Sequence, residues 1–297
     1  MTALIDRGRD PAGTADPAHP SDTAVALTDA VMSALDTVSD PELDQPITEL
    51  RFVRSVLVDD EGVTVHLRLP TSFCSPNFAY LMCSDALDAL EDIDGIGRVQ
   101  VMLDDHHDSD KINAGLAAHA GYKGTFTVEA EQDLDELRMT FLRKAHTAAM
   151  ERAVSPLIAA GTTCVDDCAQ LLLRDLPENP AKVALLRRRV QIGLGVCPNC
   201  RVVVDEDGSP LPAEAIPMRL RFARSVRISM EGNGHFCRGL LATRYADDTD
   251  CDGTSGPVVT DLRMLPMPTT RTAHTPEPAT PGAHTGVPDP HTERSAS

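Results

Sequence analysis

Phe52-Val53-Arg54-Ser55-Val56-Leu57-Val58, Asp59-Asp60-Glu61-Gly62 and Val63-Thr64-Val65-His66-Leu67-Arg68-Leu69 run consecutively, and this stretch decides the fold. Two runs rich in β-branched residues around an acidic turn ending in glycine predict an antiparallel hairpin. Val63, Val65, Leu67 and Leu69 alternate onto one face, so the sheet has a buried side. Upstream, Val25, Leu27, Val31, Leu35 and Val38 fall near helical spacing within Ala24–Val38. That helix stops at Ser39-Asp40-Pro41, because proline biases its predecessor out of the helical region. Downstream, Pro70-Thr71-Ser72-Phe73-Cys74-Ser75 makes a short loop into a helix over Pro76–Glu91, with proline suited to the first turn. Arg98–Leu103 supplies a third strand. The order α-β-β-α-β describes a small open sandwich, an α+β or α/β unit with one face of the sheet covered.

This reading puts Cys74 at the N-terminus of a helix, where unpaired backbone N–H groups and the positive end of the helix dipole favour thiolate. Thiolate is the form that binds soft metals and iron-sulfur clusters. A small loop residue packed beneath the helix is the plainer alternative. Cys83 shares the apolar face of the same helix with Ala79, Ala86, Leu87 and Leu90 and reads as packing.

Ser39-Asp40-Pro41-Glu42-Leu43, Pro46-Ile47-Thr48-Glu49-Leu50, the hairpin, the Thr71–Cys74 segment and Gly95-Ile96-Gly97-Arg98-Val99-Gln100-Val101 together resemble the metal-sulfur cluster assembly family of the SufT and PaaD type. The resemblance covers about residues 24–106. It implies a small factor that helps load iron-sulfur clusters into target proteins, some members serving oxygenase systems. It also gathers Asp40, Glu42, Thr71 and Cys74 around one site. Two departures stand out: Phe73-Cys74-Ser75-Pro76 replaces the family's Gly-Cys-Pro, and Asp104-Asp105-His106-His107-Asp108 replaces its Pro-x-Trp ending.

That acidic and histidine-bearing run offers His106 and His107, with its carboxylates, as candidate ligands for iron or zinc. A solvated loop is the plainer reading. Cys197-Pro198-Asn199-Cys200 is the sharper local motif, because two thiolates two residues apart chelate one ion. Arg201-Val202-Val203-Val204 reads as a strand after it, which favours a zinc knuckle over a redox pair. Closure of a structural zinc site needs two more ligands, and His235, Cys237 and Cys251 are the candidates. Cys164 and Cys168, four apart on an expected helix, read as core or surface.

The expected organisation is therefore disordered residues 1–22, the cluster-assembly-like unit over 23–107, a polar linker over 108–124, a second domain over 125–265 and a disordered tail over 266–297 with seven prolines. The second domain reads as helical, over Glu129–Val154, Cys164–Leu173 and Pro180–Leu194, then strand-rich, with strands at Arg201–Val204, Ser225–Met230 and Leu240–Tyr245.

A net charge of −18 excludes a general attraction to nucleic acid or anionic lipid, both of which require a basic surface. No apolar run approaches a membrane span, and a polar start argues against an export signal, so a cytoplasmic protein is expected. Nucleotide-binding loops, zinc-protease, esterase and di-iron motifs are all missing, so the chain is not expected to be an enzyme. The leading expectation is a maturation factor that carries iron or an iron-sulfur cluster transiently through Cys74, with Asp40 and Glu42, for a client metalloenzyme or alongside other cluster-assembly proteins. One thiolate cannot complete a cluster's ligand set, so a homodimer, small thiols or client ligands would supply the rest. Two alternatives are a zinc-stabilised adaptor and a thiol-disulfide oxidoreductase using Cys197 and Cys200.

Overall fold

In the computed structural model, which describes residues 22–126, 134–246 and 257–261, the hairpin forms as the alternation predicts. Strands β3 (Val53–Val58) and β4 (Gly62–Arg68) pair antiparallel, with Val56 opposite Val65 and Val58 opposite Val63. Val63, Val65 and Leu67 are buried and their alternate neighbours partly exposed. Helix α1 (Asp22–Thr37) precedes a two-residue ladder, β1 (Ser39–Asp40) with β2 (Gln45–Pro46). After the hairpin, α2 (Pro76–Glu91) crosses over and returns the chain as β5 (Arg98–Asp104), parallel to β4. One further strand, β6 (Val258–Asp261), pairs parallel with β3 and gives the sheet the order β5-β4-β3-β6.

Two glycines let the hairpin turn and β5 approach. A Cβ on Gly62 would lie 1.9 Å from the Arg98 carbonyl oxygen, and one on Gly97 2.5 Å from that of Glu61. Gly97 also holds a φ of +80°, open to glycine at little cost.

Residues 109–126, expected to be a linker in part, fold as α3 (Ser109–Ala117) and α4 (Gly121–Phe126). Ile112, Leu116 and Phe126 are buried in the first core, and Tyr122 and Phe126 each meet Tyr80 edge to face and each other at a tilt. Polar composition hid these helices because each is short and buries one narrow face.

The described residues belong to one compact unit. Its second core gathers Met150, Val154, Cys168, Leu173, Leu185, Val202 and Ile216, among others, between α5 (Leu134–Ala159), α6 (Pro180–Gln191) and α7 (Ile216–Arg244). The expected helix over Cys164–Leu173 is replaced by 3-10 turns at Asp166–Ala169 and Leu173–Asp175. Cys168 is buried there and its thiol donates to the Cys164 carbonyl at 3.3 Å. The largest correction concerns the strand-rich end. Ser225–Met230 and Leu240–Tyr245 are not strands: 29 residues form the single helix α7, which reaches Arg244. Arg201–Val204 contributes isolated bridges, Leu172 to Arg201 and Val204 to Pro210, and its valines are buried core.

The two cores are tied by ion pairs and an aromatic contact. Arg188 of α6 donates to Asp44 at 2.7 and 3.0 Å, both side chains nearly buried. Arg138 of α5 grips Asp85 of α2 at 2.6 and 2.7 Å. Phe78 of α2 meets Phe141 of α5 edge to face, ring centres 4.8 Å apart.

Gly62→Ala should destabilise the protein by about 2 kcal/mol, because its Cβ has no room against Arg98. Chemical denaturation measures this, and an unchanged midpoint would contradict the close approach of β5.

Candidate functional site

The turn after β1 is built by Asp40. Its Oδ1 accepts from the backbone N–H groups of Glu42 and Leu43, each at 2.8 Å, while its carbonyl accepts from Asp44. The carboxyl is buried, and desolvation pushes it from its ordinary value up to about 6, against the two backbone hydrogen bonds that favour its charge. Glu42, half-buried beside it, accepts from the Asn233 side chain of α7 at 3.4 Å. Asp40 also lines a cavity of about 420 Å³ with Asp44, Asp85, Arg138, Phe141 and Arg188.

Cys74 stands in the loop before α2, one residue ahead of the cap Ser75, with Pro76 opening the helix. It is partly exposed and free, and the Thr71 hydroxyl lies 3.5 Å from its sulfur. Thr71 Oγ1 also accepts from the Phe73 N–H at 3.2 Å, which shapes the loop. Phe73 itself is 83% exposed beside the thiol.

His106 fixes the other side of this loop. The Asp108 N–H donates to Nδ1 at 3.1 Å, so the proton sits on Nε2, which donates to the Cys74 carbonyl at 2.9 Å. Both ring nitrogens of His106, a candidate ligand by its sequence context, are thereby engaged with backbone groups. His107 lies on the surface with its ring 6.0 Å from that of Phe73. Asp104 is held by Arg54 and His66 at 3.0 and 2.9 Å. The run that looked like a ligand cluster thus points in three directions.

Among the described residues the zinc-knuckle candidates do not come together as a set of three or more. Cys197 is exposed, and Cys200 packs on the second core. The loop between them is held by main-chain bonds, Leu173 N–H to the Cys200 carbonyl and Arg174 N–H to that of Pro198, both 3.0 Å. His235 is exposed on α7, and Cys237 packs against the first core, beside a different set of residues. Cys251 lies outside the described residues. Among the described residues no three His, Cys, Asp or Glu side chains come together as they would around a metal ion.

What the sequence reading missed is the part α7 plays here. Arg244 donates to the Leu69 carbonyl at 3.0 Å, to Ser72 Oγ at 2.7 Å and to the Asp105 carbonyl. Arg238 donates to the Gln45 side chain at 2.6 Å. Cys237 stands next to Arg238 and two turns before Arg244, and burial first, then the charges of Asp40, Cys74 and Glu42, push its thiol up to about 11. A seven-residue spacing, Ile216, Ala223, Met230, Cys237, Arg244, was the available signal.

The family model described as "Iron-sulfur cluster assembly protein" matches residues 28–102, and an uncharacterized protein of Methanocaldococcus jannaschii is 33% identical over 87 residues, 29% of this chain and 90% of that protein. Over this segment the chain belongs to the iron-sulfur cluster assembly protein family. Residues 28–102 thus form an iron-sulfur cluster assembly domain, with the general role in cluster assembly that this membership carries. No solved structure matches the chain at a significant level. Among the described residues no helix is long and apolar enough to cross a membrane.

Because the fold disfavours charge on Asp40, the folded protein binds that proton more tightly than the unfolded chain. The stabilisation this brings is complete below the ordinary value of 3.8 and is lost as pH rises through about 6. Asp40→Asn keeps the acceptor for Glu42 and Leu43 and removes the charge. It should be more stable than the parent by about 1–3 kcal/mol at pH 7.5, with the difference vanishing below about pH 4. Denaturation at both pH values checks this; equal stability at pH 7.5 would contradict the burial of a charged carboxylate.

Proposed function

We propose that this chain is a maturation factor that receives iron or an iron-sulfur cluster through the Cys74 thiolate and passes it to a client metalloenzyme. The observation that carries the reading is the partly exposed Cys74 sulfur, 3.5 Å from the Thr71 hydroxyl, inside the segment the family model covers. Thr71 steadies the sulfur, His106 holds the Cys74 carbonyl, and Asp40 rigidifies the neighbouring turn through its two backbone bonds. Exposed Phe73 gives a client an apolar contact beside the thiol.

A single thiolate from this domain leaves most positions of a cluster to other ligands. Those come from sulfide, small thiols, the client or a second copy, and such incomplete ligation keeps the cargo transferable. The chain acts without a catalytic cycle of its own, in the cytoplasm, and partners with its client and other assembly proteins. An oxygenase component is the client class that the resemblance to the SufT and PaaD type supports.

Reconstitution with ferrous iron and sulfide under anaerobic conditions, followed by transfer to an apo-ferredoxin, tests this. Cys74→Ala should lose at least about tenfold in transfer rate at unchanged thermal midpoint. Transfer by the alanine variant at the parental rate would overturn the assignment of Cys74.

A further inference from the structure

We propose that Cys237 is the second thiol of the Cys74 site, so that helix α7 and the loop before α2 jointly present two thiolates to iron or an iron-sulfur cluster. The inference rests on the cluster-assembly reading above and adds a residue from outside the 28–102 segment that the family covers.

Seven residues make nearly two turns, so positions seven apart share a face with a slow drift. Ile216, Ala223 and Met230 are each fully buried at this spacing and define the inward face of α7. The next two positions on that face are Cys237 and Arg244. Arg244 touches Leu69, Ser72 and Asp105, the two loops that flank Cys74. One turn before Cys237, Asn233 reaches Glu42, and Arg238, next to Cys237, reaches Gln45. Gly234 passes so close to Gln45 that an added Cβ would meet its side-chain nitrogen at 3.1 Å. The helix therefore runs from the Asp40–Gln45 turn to the Leu69–Ser72 loop, and Cys237 faces the interval between them. Both cysteines pack, partly buried, against the first core, and Arg244, two turns beyond Cys237, bonds Ser72, two residues before Cys74.

The chemistry follows from two soft donors at an open site. On ligation each thiol releases its proton to solvent and gives a lone pair to iron, with no change of oxidation state. No third side chain closes around the ion, in keeping with the open geometry among the described residues. Sulfide and small thiols take the remaining positions until a client's cysteines displace them.

Cobalt(II) added anaerobically to the full-length protein reports the thiolate count through the intensity of its sulfur-to-metal charge-transfer band. The parent should show two-thiolate intensity. Cys237→Ser should show about half of it and bind at least about tenfold more weakly, while Cys197→Ser stays as the parent. Full intensity and affinity in Cys237→Ser, with both lost in Cys74→Ser, would overturn this inference and leave the role of Cys74 standing. Cobalt binding indifferent to either substitution would sink both. On the metal-free protein, a short bifunctional thiol alkylator should join the peptides carrying Cys74 and Cys237. Separate alkylation of both without a crosslink in the folded protein would contradict the proposed juxtaposition.

Discussion

Arg244 sits where three pieces of the first half meet, donating to the Leu69 carbonyl, the Ser72 hydroxyl and the Asp105 carbonyl. Hydrogen bonds from a charged donor contribute roughly 1.5–3 kcal/mol each, and these three fix the exit of β4, the Cys74 loop and the exit of β5 relative to one another. The guanidinium also lies over the Tyr245 ring, as does that of Arg68, the ring centre 5.2 and 4.6 Å away. The position of the Cys74 loop therefore depends on a residue 170 places later in the chain.

The same dependence recurs across the first half. Arg188 of α6 holds Asp44, at the end of the Asp40 turn, with both side chains withdrawn from water. A pair so buried is costly to break from one side, because the remaining charge would be left without a partner. The second core thus acts as a brace: α6 grips one loop of the site, and α7 grips both. This gives the helical half a physical role that needs no zinc. It leaves Phe73 exposed and Cys74 partly so.

Local patterns made the cluster-assembly domain legible. Strict alternation in Val63–Leu69 and proline at the head of α2 are signals confined to a few residues; the α2 bounds they predict are those observed, and the strand is shifted by one residue, to Gly62–Arg68. The family pattern then singled out Cys74, a choice that spacing alone left open. Helix α7 was misread for an instructive reason. Val226, Ile228 and Met230 alternate as in a strand, yet Ile228 is half exposed and only Met230 is buried. The stripe that matters repeats every seven residues and is visible only over the whole 29-residue element. Cys197 and Cys200 have chelating spacing, but whether other ligands arrive depends on tertiary placement, which a four-residue motif does not encode. His106 looked like a ligand because composition does not show which way a ring turns.

Helix α7 thus positions the Cys74 loop. Hydrogen exchange of amides in Arg244→Ala, compared with the parent, tests it most directly. Loss of these bonds should give faster exchange across residues 70–75 and at the start of α2, with protection in the second core around Met150 and Leu185 unchanged. Parental exchange rates throughout residues 70–75 would contradict it.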